Sequence, residues 1–129
     1  MPLVRIDVNK RASSELIRAV GEAVYGAMIE IARVPLHDKF QIVSRHETEE
    51  IVYPAEGYLG ATYSEQIIFI QIIWLGGRSV QTKQKFYERV ADDIHRSQNI
   101  RKEDIVMVLS ENAREDWSFG NGLMQYAPK

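Results

Sequence analysis

Gln66-Ile67-Ile68-Phe69-Ile70-Gln71-Ile72-Ile73-Trp74, followed by Leu75 and the turn Gly76-Gly77-Arg78-Ser79, is the stretch that settles the architecture. The apolar run is too short to span a bilayer and is interrupted by Gln71, so it reads as a buried central strand. The glycine pair closes the strand and a helix follows. Val80, Lys83, Tyr87, Val90, Ala91 and Ile94 mark its sheet-facing side only in part, with Phe86 alongside. Asp104 to Leu109 supplies the next strand. Strand, helix and strand make one β-α-β unit, because parallel neighbours need a crossover of about a dozen residues or more.

The same order stands earlier in the chain. Pro2 to Val8 reads as a strand, and Asn9-Lys10-Arg11-Ala12 as a polar turn. Ser13 or Ser14 offers a helix N-cap, with Glu15 in the first turn where the helix dipole favours a negative charge. Leu16, Val20, Ala23, Ala27 and Ile31 recur at helical spacing up to a stop at Pro35. Gly21 and Gly26 inside this helix suggest close packing against a sheet. Phe40 to Arg45 is the second strand of this half. Residues 46–64 are irregular, with Ile51-Val52-Tyr53 a possible short strand and Tyr53, Tyr58 and Tyr63 either pinning the loop or lining a pocket. Trp117 to Gly122 reads as an aromatic, glycine-rich hairpin or arm. The expected fold is α/β. Two β-α-β units, about 2–63 and 64–122, are related by a pseudo-two-fold axis and form one mixed sheet with two helices on one face, in a single domain spanning 1–129.

Composition narrows the function classes. A net charge of −2 argues against a dedicated nucleic-acid binder, which carries a basic face. The chain has no cysteine, so disulfide and thiolate chemistry are excluded and a cytoplasmic location is expected. No signal peptide or membrane span is legible, and no membrane partner is expected. His37, His46 and His95 lack metal-ligand spacing and are expected to be solvated. Asp92-Asp93 reads as a hydrated helix face and Arg101-Lys102-Glu103-Asp104 as a polar turn. No phosphate loop, serine elbow or zinc motif is present, so neither cofactor nor metal is expected.

Two residues carry chemistry. With the initiator methionine removed, Pro2 presents a ring-held secondary amine, able to act as base, acid or nucleophile toward a carbonyl. Its plainer reading is a residue suited to the first position of a strand, having no N–H for the ladder. Arg78 sits between two glycines and a helix start, where backbone N–H groups attract anions and a guanidinium fork suits a carboxylate. Its plainer reading is a solvated arginine. Pro2 begins a strand and Arg78 follows one. If a two-fold axis makes the first strands of the halves antiparallel, both lie at one mouth.

The chain resembles the tautomerase superfamily, whose members use an amino-terminal proline and a β-α-β building block. Within it, the whole length is similar to the malonate semialdehyde decarboxylases. The resemblance is carried by Pro2-Leu3-Val4-Arg5-Ile6-Asp7, Asp38-Lys39-Phe40-Gln41-Ile42-Val43, the run Gly77 to Tyr87, and Glu111-Asn112 with Asp116-Trp117-Ser118-Phe119-Gly120. It implies a homotrimer with sites near subunit contacts and a small carboxylic acid as substrate. It also implies Pro2 as catalytic amine, Arg78 as carboxylate holder, Asp38 as a polar partner near the amine, and Trp117 and Phe119 closing the pocket. One branch of the decarboxylases carries two arginines one residue apart in the turn. Here the earlier position is Gly76, and another branch shares this glycine–arginine turn.

Three functions follow as expectations. The first is a cofactor-independent lyase that decarboxylates a small 3-oxo acid and has hydratase side activity. The second is a keto–enol tautomerase of 2-oxo acids such as phenylpyruvate. The third is a trimeric binding protein without catalysis. An aspartate near an amine favours the ammonium form, which suits the lyase, while burial and a nearby arginine oppose it.

Overall fold

The computed structural model describes residues 2–127. Four strands, β1 (Leu3–Asn9), β2 (Gln41–His46), β3 (Ile68–Leu75) and β4 (Ile105–Asn112), form one mixed sheet in the order β2-β1-β3-β4. Helix α1 (Ser14–Glu30) crosses from β1 to its parallel neighbour β2, and α2 (Val80–Gln98) crosses from β3 to its parallel neighbour β4. The two β-α-β units meet through β1 and β3, which run antiparallel with Leu3 opposite Ile73 and Asp7 opposite Phe69. Both helices cover the face that carries Val4, Ile6 and Val8 of β1 and Ile68, Ile70, Ile72 and Trp74 of β3. Among the described residues, no helix is long and apolar enough to cross a membrane.

Local signals set both helix starts. Ser13 Oγ accepts from Leu16 N and Ser79 Oγ accepts from Thr82 N, each satisfying a donor the first turn leaves open. The expected stop at Pro35 is corrected. Helix α1 ends at Glu30, and the chain closes through the left-handed Arg33 (φ 61°), with Val34 N donating to Met28 O over 2.9 Å. Proline disfavours helical backbone in the residue before it, so a turn is needed earlier. Of the two glycines in α1, only Gly21 marks a close approach. A Cβ there would lie 2.6 Å from Gln41 Oε1, whereas one on Gly26 meets nothing within 4 Å.

Helix α2 buries Val90 and Ile94 of its expected inner face and departs from it at Val80. Phe86, Val90 and Ile94 are its buried residues, and Phe86 meets Trp74 edge-on with ring centres 5.1 Å apart. Val80, the first residue of α2, is 66% exposed. Arg89 joins the two helices through Glu30 (2.7 Å) and Asp93 (2.8 Å).

The loop from β2 to β3 holds a single 3-10 turn at Thr48–Glu50 and no strand at Ile51–Tyr53, since no sheet strand pairs with that stretch. Tyr53 and Tyr63 meet edge-on at 6.0 Å and pin the loop, while Tyr58 and Ala61 bridge around a tight tip. The polar turn before β4 hides a fully buried carboxylate. Asp104 accepts from Ser64 N (2.8 Å) and Ser64 Oγ (2.6 Å), as a buried charge must find donors. Two histidines expected to be solvated are engaged: His46 Nε2 lies 2.6 Å from Asp7 Oδ1, and His95 Nδ1 lies 2.8 Å from Ile100 O.

These contacts give two stability tests. Phe86→Ala should cost about 3–5 kcal/mol in urea unfolding, against under about 0.5 kcal/mol for Val80→Ala. Gly26→Ala should stabilise by up to about 1 kcal/mol, whereas Gly21→Ala, which displaces the Gln41 side chain from its 3.1 Å bond to Gly21 O, should not. Equal effects of the two glycine replacements would contradict the packing described.

Candidate active site

Strand directions collect the chemistry at one end of the sheet. With β1 antiparallel to β3 and each parallel to its own partner, the first residues of β1 and β2 stand beside the last residues of β3 and β4. Pro2, which is buried, directly precedes Leu3, the partner of Ile73. Asp38, half-buried, lies in the turn before β2, whose first residue Gln41 pairs with Val4. A 3.0 Å bond from Val4 N to Phe40 O fixes that entry against β1. Arg78 follows the end of β3, and Glu111 and Asn112 finish β4 opposite Trp74 and Leu75. The structure thus brings Pro2, Asp38 and Arg78 to the same end. Met1, whose removal decides whether Pro2 carries a free amine, lies outside the described residues.

Arg78 is not solvated as its plainer reading had it. Its Nε donates to Ala32 O at 3.0 Å and its Nη1 to Leu75 O at 2.8 Å, while its guanidinium carbon stands 4.4 Å from the Trp74 ring centre. Two hydrogen bonds and a ring face fix the plane of the fork. Burial lowers the Arg78 pKa and the charge of Glu111 opposes that shift. An arginine remains charged under either influence. The turn that delivers it needs glycine at Gly77, whose φ of 115° side chains avoid.

Glu111 pairs with Lys83 over 2.9 Å, and that bond chiefly lowers the Glu111 pKa. Beyond β4 the chain makes a 3-10 turn at Arg114–Asp116 and then an arm rather than a hairpin. Trp117 Nε1 donates to Asn112 Oδ1 at 2.8 Å. The Trp117 and Phe119 rings stack with centres 5.4 Å apart, and Phe119 lies 5.5 Å from Phe40. The arm therefore links β4 to the entry of β2, across the end of the sheet where Pro2 and Arg78 lie. Phe40 and Tyr126, whose ring meets Phe119 edge-on at 5.5 Å, join this aromatic cluster and were not singled out from the sequence. Tyr126 shares a short terminal stretch with two other aromatics, which is the one signal that could have found it.

Among the described residues, no group of three or more His, Asp or Glu is arranged to hold a metal ion. The opposite end of the sheet has a depression of about 410 Å³, floored by Val8, Leu16, Ile68 and Ile100. Its rim charges neutralise each other, Arg11 with Glu65 at 3.1 Å, and its Asn9 bonds Thr48. The end with a fixed guanidinium and a strand-starting proline is the better equipped for chemistry. Tyr53, Tyr58 and Tyr63 sit in the loop that joins β2 to β3 at the other end of the strands of the same chain.

Arg78→Lys should lower unfolding stability by about 1–2 kcal/mol, because an ammonium cannot bond both carbonyls in the guanidinium plane. An unchanged urea midpoint would show that the fork does not hold this turn.

Comparison with known proteins agrees with the topology. Residues 38–120 match the protein family described as "Tautomerase enzyme". The chain is 33% identical over 125 residues to the probable tautomerase YusQ of Bacillus subtilis (strain 168), covering 97% of this chain and 98% of that protein. Its structure is similar to FG41 malonate semialdehyde decarboxylase inhibited by 3-bromopropiolate, with a TM-score of 0.87, 33% identity and coverage of 96% and 93% of the two chains. It is equally similar to a malonate semialdehyde decarboxylase solved as wild type, a proline-to-alanine mutant and an inactivated form, for which decarboxylase and hydratase activities are described. There the TM-score is 0.87, the identity 31% and the coverage 96% and 95%. The fold alone is shared with a fused 4-OT, a symmetric trimer, at a TM-score of 0.76, 18% identity and 94% coverage of each chain. From matching topology and whole-length similarity together, the chain belongs to the tautomerase superfamily of enzymes.

Proposed function

We propose that this enzyme is a cofactor-independent lyase that decarboxylates a small 3-oxo acid of the malonate semialdehyde kind, with hydratase side activity. The observation that carries the proposal is the common position of Pro2 and the fixed Arg78 fork at the end of the sheet crossed by the aromatic arm. Similarity to two malonate semialdehyde decarboxylases over nearly the whole chain supports it.

In this mechanism Arg78 binds the substrate carboxylate. The protonated Pro2 amine donates a hydrogen bond to the 3-oxo oxygen, and Asp38 favours that ammonium form. The bond between the carboxyl carbon and C2 breaks, its electron pair moves toward the polarised carbonyl, and CO2 leaves. The resulting enolate, hydrogen-bonded to that ammonium, takes a proton from solvent at C2 to give the aldehyde. Trp117 and Phe119 keep water from the charges, which strengthens their interaction. The same ammonium and guanidinium can polarise an unsaturated acid for attack by water, hence the hydratase activity.

A second reading is a keto–enol tautomerase of 2-oxo acids such as phenylpyruvate, favoured by the similarity to a probable tautomerase. It needs Pro2 neutral, as a base. Pure protein, with removal of Met1 checked by intact mass, should be assayed on both substrate classes across pH. The lyase loses activity as an amine deprotonates, and the tautomerase gains it. Pro2→Ala and Arg78→Ala should each lower turnover by about 100-fold or more. Full activity in either variant would end the proposal.

The proposal includes a homotrimer. The face of the sheet away from the helices carries Leu3, Phe69, Ile73 and Val106 half-buried, with Val108 51% and Ile42 42% exposed. An apolar face of this kind marks an interaction surface. Light scattering should give three times the 14.8 kDa chain mass, and Val108→Glu should shift the protein to smaller species. A monodisperse monomer in the wild type would remove the trimer from the proposal.

A further inference from the structure

Resting on the reading of Arg78 as carboxylate holder, we infer that Glu111 restricts the site to acids with a single carboxylate, whose other end is uncharged. The turn beside Arg78 holds no side chain at Gly76. A Cβ placed there would lie 3.6 Å from Glu111 Oε2 and 3.7 Å from Glu111 Cβ. The space at Gly76, two residues before Arg78, is thus bordered by a carboxylate. The other oxygen of that carboxylate, Oε1, holds Lys83 Nζ at 2.9 Å. Lys83 is the nearby ammonium that could receive a second substrate carboxylate, and Glu111 occupies it. The charge of Glu111 also reaches Arg78, as its influence on the Arg78 pKa records.

The consequence is a charge rule. A ligand carboxylate on Arg78 replaces solvent at a fixed cation. A second carboxylate over Gly76 meets Glu111 Oε2 at close range, and like charges that close repel. A hydroxyl, such as that of an aldehyde hydrate or an enol, can donate to the same oxygen. Glu111 is therefore a specificity-determining residue that acts by excluding dianions, and its pairing with Lys83 keeps that ammonium from undoing the exclusion.

Binding of malonate and of 3-hydroxypropionate, two acids of equal length with two carboxylates and one, tests this by calorimetry without turnover. The wild-type protein should favour 3-hydroxypropionate. Glu111→Gln should improve malonate binding about tenfold relative to 3-hydroxypropionate, and adding Lys83→Met should cancel that gain. Arg78→Ala should weaken both ligands. If both acids depend on Arg78 but the wild type binds malonate as tightly, or Glu111→Gln leaves the ratio unchanged, the inference is overturned and the proposed function stands. If neither acid depends on Arg78, the carboxylate-holder reading fails and takes the inference with it.

Discussion

The antiparallel pairing of β1 with β3 is the constraint on which the rest of this structure depends. Within each half, parallel strands keep starts with starts and ends with ends. Only the central pair reverses direction. It sets the beginning of one half beside the end of the first strand of the other, and so sets Pro2 beside the turn that carries Arg78. The backbone ladder and the buried Val4, Ile6, Ile70 and Ile72 hold that register. A slip of one residue would turn those side chains out of the core. The position of a strand-starting proline relative to a guanidinium is thus held by core packing rather than by a flexible loop.

The guanidinium is held with similar economy. Trp74 is both the end of the apolar strand and the platform for Arg78, and its other neighbour is Phe86 of α2. The carbonyl of Ala32, left free where α1 ends early, accepts from Arg78 Nε. The early end of α1, the burial of Phe86 and the orientation of Arg78 are consequently one connected arrangement. A cation fixed before an anion arrives needs little reorganisation on binding, which is how oriented charges contribute most.

Much of this was legible in the residues. The apolar strands around Ile6 and Ile70, the serine caps at Ser13 and Ser79, and the glycine turn before Arg78 are local signals acting over a few positions. Other features depend on partners far away in the chain. The helical pattern of α2 marks its inner face only in part, and the exposure of Val80 and full burial of Phe86 depend on where the helix lies over the sheet. Asp104 looks like one charge in a polar run, and the approach of Ser64, with Arg101 Nε at 3.3 Å, makes its burial tolerable. His46 looks isolated until β2 lies beside β1 and brings it to Asp7.

By itself the sequence determined the two β-α-β units, their helix starts and the residue types able to bind a carboxylate, because periodicity, capping and φ preferences are encoded within single turns and strands. The tertiary structure decided which of those residues meet. Strand order put Pro2, Asp38 and Arg78 at one end. The arm after β4 carried Trp117 and Phe119 to Phe40, and Glu111 was brought against the empty side of Gly76. Such meetings are settled by the direction and register of strands distant in sequence, which short-range chemistry along the chain does not specify.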